Sequence, residues 1–111
     1  MPAHHSLAQF ELFVLLAIAH LGDEAYGVEI RQEIESRSGR EASIGAVYAA
    51  LGRLEDKGLV ASFVSEPRAV PGGRARKYFH LTPAGERERA AATAMLRRMM
   101  EGLPHAEDST T

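Results

Sequence analysis

The hydrophobic pattern of this chain changes period at Gly58 and changes back at Thr82, and that alternation limits the folds open to it. Before Gly58, apolar residues recur every three or four positions, the repeat of a helix; between Gly58 and Thr82 they alternate, the repeat of a strand. An all-helical bundle and an all-β sandwich are both excluded. With 111 residues, the chain has room for one small α+β domain, mostly helical.

Ser6 and Gln9 have capping-box spacing and predict a first helix from Leu7. Phe10, Phe13, Val14, Ala17, Ile18 and Leu21 fall on one face of it, but Leu12, Leu15, Leu16 and Ala19 make the other side apolar too. Such a helix needs cover on more than one side. Gly22 supplies a left-handed C-cap, and Asp23 to Gly27 reads as a turn. Val28, Ile30 and Ile34 mark a short second helix that stops at Ser38-Gly39. Ser43 is the N-cap of a third, whose inner face is Ile44, Val47, Leu51 and Leu54 and whose end is Gly58. Its outer face carries Gly45, Tyr48, Ala49, Gly52, Arg53 and Asp56; small residues there let the helix approach another surface closely.

Leu59 to Val64 and Arg76 to Leu81 read as two strands of a hairpin with a long tip rich in Pro and Gly. Thr82-Pro83 starts a last helix that runs to about Glu101. Ala92, Leu96, Met99 and Leu103 form a coiled-coil-like seam on it, widened by Met95 and Met100, and no later segment covers that seam. The polar stretch after Pro104 is expected to fray.

Charge is segregated along the chain. The formal net charge is -2, yet residues 1–35 sum to -5 and residues 68–98 to +6. Arg68, Arg74, Arg76 and Lys77 crowd one short stretch, which is either a local positive field or an ordinary solvated loop. The absence of cysteine excludes disulfides, thiolate metal sites and thiol nucleophiles, and fits a cytoplasmic protein. The longest apolar run, Leu12 to Ala19, is too short to span a bilayer, so no membrane role is expected. The five histidines lack metal-ligand spacing, and no phosphate loop, dinucleotide fingerprint or nucleophile elbow is present. We therefore expect no metal, no cofactor and no enzyme. At this length a radius of gyration near ~13 Å leaves little room for a deep cleft in one copy, which places any large pocket between copies.

Three helices, a basic two-stranded hairpin and a long helix make the element order of a winged helix-turn-helix with a C-terminal extension. On this reading residues 1–82 form the DNA-binding domain, 83–103 a C-terminal dimerisation helix and 104–111 a flexible tail. The third helix would enter a major groove while the hairpin reaches the backbone, so Ser43, Gly45, Tyr48, Arg53, Arg74, Arg76 and Lys77 are the candidate contacts. Each has a plainer alternative. Ser43 is read as a cap and as a phosphate donor, Tyr48 as a DNA contact or a lid on the core, and Arg53 as a DNA contact or the partner of an acid such as Asp56. A winged helix that binds a protein partner without reading DNA is the rival reading.

The strings Ala25-Tyr26-Gly27, Ser43-Ile44-Gly45-Ala46-Val47-Tyr48, Leu51-Gly52-Arg53-Leu54-Glu55-Asp56-Lys57-Gly58-Leu59-Val60, and the run from Gly73 to Gly85 resemble the PadR family of bacterial transcriptional regulators. The resemblance spans roughly residues 7–103. It implies a homodimeric repressor with its third helix and wing on double-stranded operator DNA and its final helix dimerising together with the first. Ala49 stands where many members carry Pro after the helix-three Tyr, so its local contact to DNA is expected to differ. The single terminal helix resembles the compact branch, which implies a space for a small hydrophobic effector between first and last helices, near Phe10, Val14, Met95 and Met99. That branch places a Trp there to stack flat ligands, and this chain has none.

Overall fold

The structure, a computed structural model, describes residues 7–66 and 76–104. Helix α1 (Gln9–Leu21) begins later than the capping pattern predicts, with Ala8 as N-cap. The acid at the third helical position explains the shift. Glu11, not Gln9, folds back, its Oε1 accepting the Ala8 N–H at 3.2 Å, while Ser6 lies outside the described residues. Gly22 ends the helix, but with φ 93 and ψ -154 it is extended on the left-handed side instead of forming an αL cap.

The expected turn before α2 contains a strand. Ala25–Tyr26 (β1) pairs antiparallel with β3, Ala25 opposite Phe79 and Tyr26 opposite Tyr78. Two residues are too few to show a period in sequence, so only the distant partner defines them. Helix α2 (Gly27–Ser38) ends at Gly39 in the αL conformation, as its sequence predicts. Helix α3 (Ile44–Asp56) is capped by Ser43, whose hydroxyl accepts the Ala46 N–H at 3.0 Å. Its end is a Schellman motif: with Gly58 at φ 74, the Gly58 N–H donates to the Glu55 carbonyl and the Leu59 N–H to the Leu54 carbonyl, both at 2.9 Å.

Strands β2 (Val60–Val64) and β3 (Lys77–Leu81) pair antiparallel, Val60 opposite Leu81 and Val64 opposite Lys77. The expected two-stranded hairpin is present, and β1 adds a third strand to it, so the sheet runs in the order β1-β3-β2. Phe79, at the centre of β3, is 1% exposed and packs with Val14, Leu15, Ile18, Ile30, Val47, Leu51, Leu54 and Leu59. Complete burial of such a side chain contributes roughly 1.5–3 kcal/mol. Ile44 and Val28 belong to the apolar repeats of their helices, but both lie near helix starts and are substantially exposed.

Helix α4 (Pro83–Met100) is fastened at its first turn. Thr82 Oγ1 donates to the Gly58 carbonyl at 2.7 Å and accepts the Gly85 N–H at 3.0 Å. Gly85 rests on the Leu59 backbone so closely that a Cβ would collide with the Leu59 carbonyl. Gly85 is the only residue of α4 that is buried. A helix that covers so little of its own chain extends the molecule, and the radius of gyration is 16.3 Å, above the ~13 Å expected for this length. One groove of about 410 Å³ lies within the chain between α1 and α2, contrary to the expectation that any large pocket would sit between copies. Among the described residues, no helix is long and apolar enough to cross a membrane.

Candidate nucleic-acid interface

Helix α3 presents two chemically distinct faces because its inward residues leave it no choice of rotation. Val47, Ala50, Leu51 and Leu54 are buried. Gly45, Ala49 and Gly52, spaced four and three, therefore share an exposed stripe, and nothing lies within 4 Å of where a Cβ of Gly45 or Gly52 would stand. Backbone on such a stripe is open to close approach by another surface. Ser43 opens the same helix, exposed, with its hydroxyl engaged as the cap.

Tyr48 is 45% exposed. Its ring covers Gly27, where a Cβ would strike the hydroxyl, and is tilted against Phe79 with centroids 6.3 Å apart. The ring thus closes the α2–α3 junction while its outer side stays open to solvent.

The wing begins from an ordered base. Ser65 and Arg76 exchange two hydrogen bonds, Ser65 N–H to the Arg76 carbonyl at 2.8 Å and Arg76 N–H to Ser65 Oγ at 3.0 Å. The Arg76 guanidinium lies 4.4 Å from the Tyr26 ring centroid, a cation–π distance. Tyr26 meets Tyr78 edge-on, and Phe63 stacks on Tyr78 at 5.5 Å, so one aromatic row underlies the arginine. Lys77 is exposed, 3.9 Å from Glu55 Oε1. Arg74 lies outside the described residues.

Arg53 is paired, but not with Asp56. Its Nε donates to Glu11 Oε2 at 2.7 Å, and Lys57 Nζ donates to Glu11 Oε1 at 2.7 Å. Glu11 is 3% exposed. Burial alone pushes its carboxyl up, but the hydrogen bonds from Lys57, Arg53 and the Ala8 N–H, with the charge of Lys57, outweigh that and hold it below the usual carboxylate range. Sequence reasoning missed Glu11, Lys57 and Tyr26. The one available signal was an acid directly before the apolar run of α1.

The residues assigned to dimerisation and effector binding separate into two groups. Met95, Leu96, Met99 and Leu103 are 50–74% exposed, Ala92 is partly exposed and Phe10 is half-buried under Arg40. Val14 is corrected. It is wholly buried in the chain's own core, because α1 is covered by α2, α3 and the sheet on that side, and it is out of reach of a ligand between copies.

Three helices, a small antiparallel sheet ending in a hairpin and a projecting final helix define a winged-helix protein. Residues 15–91 match the transcriptional regulator PadR-like family. The chain belongs to that family, and is accordingly a DNA-binding regulator of transcription and not an enzyme. It is 38% identical over 97 residues to the transcriptional regulator Rv3488 of Mycobacterium tuberculosis, spanning 83% of this chain and 86% of that one. Its fold is similar to a PadR family transcription regulator of Clostridium difficile, with TM-score 0.69, 26% identity, and 84% and 95% of the two chains covered. A PadR-like transcription factor of Bacteroides fragilis is similar too, with TM-score 0.69, 25% identity, and 83% and 84% covered.

Proposed function

We propose that the protein is a cytoplasmic, homodimeric, sequence-specific repressor that binds a pseudo-palindromic operator through two copies of α3, with the two wings on the flanking backbone. The observation that carries this reading is the open stripe of Gly45, Ala49 and Gly52 on a helix whose other face is locked into the core. Ser43, Gly45, Tyr48 and Ala49 lie toward the DNA on this reading, and Arg74, Arg76 and Lys77 neutralise phosphate. Dimerisation uses the exposed seam of α4, Ala92, Leu96, Met99 and Leu103, whose apolar area is otherwise left in water. A two-fold dimer presents its reading helices about one helical turn apart, ~34 Å.

Selection of bound fragments from a random duplex pool tests the reading. An inverted repeat with half-sites one turn apart is expected; a pool recovered without sequence preference would favour the protein-interaction alternative. For release by a small hydrophobic effector, the supporting observation is that Met95 and Met99 are flexible apolar side chains left exposed on α4, and the family resemblance adds Phe10 of α1. A thermal-shift screen of small hydrophobic compounds on the purified protein checks it, and no shift from any class would remove it.

A further inference from the structure

Glu11 is the only buried charged side chain among the described residues, and both of its strong partners come from α3 and the residue that follows it. Neutralising it needs one cation. Lys57, 23% exposed, together with the Ala8 N–H already satisfies Oε1, yet Oε2 takes a second cation, Arg53, whose side chain is 52% exposed. An arginine so placed is held at Nε by a buried carboxylate while half of its side chain stays exposed, and in the sequence of α3 it stands next to Gly52 and one turn on from Ala49. Arg53 sits near the C-terminal end of α3, whereas base edges are read from the N-terminal part of a recognition helix. Phosphate is therefore the group within its range.

We propose that Glu11 is a positioning residue for DNA binding: through Arg53 Nε it holds the guanidinium so that its outer Nη edge meets a backbone phosphate at the margin of the groove occupied by α3. The inference rests on the reading of α3 as the DNA-contacting helix. A carboxylate on one edge of an arginine removes its rotamer freedom before DNA arrives, so less is lost on binding.

The test is a double-mutant cycle on the full-length protein, reading anisotropy of the selected duplex across a salt series. Circular dichroism first sets a temperature at which each variant is folded. Arg53→Ala and Glu11→Gln are each expected to weaken binding on the order of tenfold, and the double variant to bind no worse than Arg53→Ala alone. Arg53→Ala also flattens the dependence on log salt by about 0.9 for each phosphate that it leaves without a cation. Arg53→Lys keeps a cation on Glu11 but has no second edge, so it is expected to bind like Arg53→Ala; should Glu11→Gln fail to fold, this variant decides. Wild-type affinity in Arg53→Lys, or a Glu11→Gln loss of equal size without Arg53, overturns the proposal. A wild-type protein that ignores duplex altogether overturns the DNA reading of α3 itself, which distinguishes the two failures.

Discussion

Glu11 joins the first helix to the third through an ion pair on each oxygen, and its removal leaves Arg53 and Lys57 facing one another with no carboxylate between them. Glu11→Ala is expected to cost about 3 kcal/mol of stability, the usual penalty for breaking a buried pair, read as a lower urea midpoint. The carboxyl is held below its usual value of 4.5, so its contribution is complete above that pH and is lost as pH falls through the lower folded pKa. Melting temperature should therefore drop on acidification below pH 4.5, and drop less in Glu11→Gln. Gly85 is a second position where one residue decides the packing, because the Leu59 carbonyl occupies the space of a side chain. Gly85→Ala must displace α4 from the sheet and is expected to destabilise by about 3 kcal/mol, the upper range of overpacking.

At the scale of elements, α3 and the wing divide the work of contact on the proposed reading. The Ser43 hydroxyl satisfies a backbone donor that otherwise has no partner in the helix, so Ser43→Ala should cost about 1 kcal/mol in a denaturation curve. The wing is expected to supply charge. If a dimer neutralises about six phosphates, log affinity falls against log salt with a slope near ~5. Replacing Arg74, Arg76 and Lys77 with Ala should weaken binding to all sequences alike and flatten that slope; an unchanged slope would take the wing off the DNA. The period of the helices and of the two longer strands was legible in the sequence because each buries one side along many residues. Strand β1 was not, since its two residues are strands only by virtue of Phe79 and Tyr78 opposite them.

For the whole molecule, the determining feature is α4, anchored by Thr82 and Gly85 and then projecting an apolar stripe that stays exposed among the described residues. If the protein dimerises through this stripe as proposed, Leu96→Glu with Met99→Glu should shift sedimentation from dimer to protomer at micromolar concentration and lower operator affinity in step. Sedimentation unaltered by both charges would place the dimer contact elsewhere. The ion pairs of Arg37 with Glu33 and of Arg89 with Glu86 lie on exposed surfaces and are not expected to contribute comparably.

What the sequence determined by itself was local: helix starts at Ser43 and Thr82, stops at Gly39 and Gly58, alternation in the hairpin, and the resemblance carried by those strings. Each rests on residues that interact within a turn or two of one another, so their spacing is enough to reveal them. The tertiary structure alone decided which distant residues meet: Glu11 with Arg53 and Lys57, Tyr26 under Arg76, Tyr48 over Gly27, and Val14 in the core instead of at a pocket. Such pairings depend on how the helices cross, and no period within one element records a crossing.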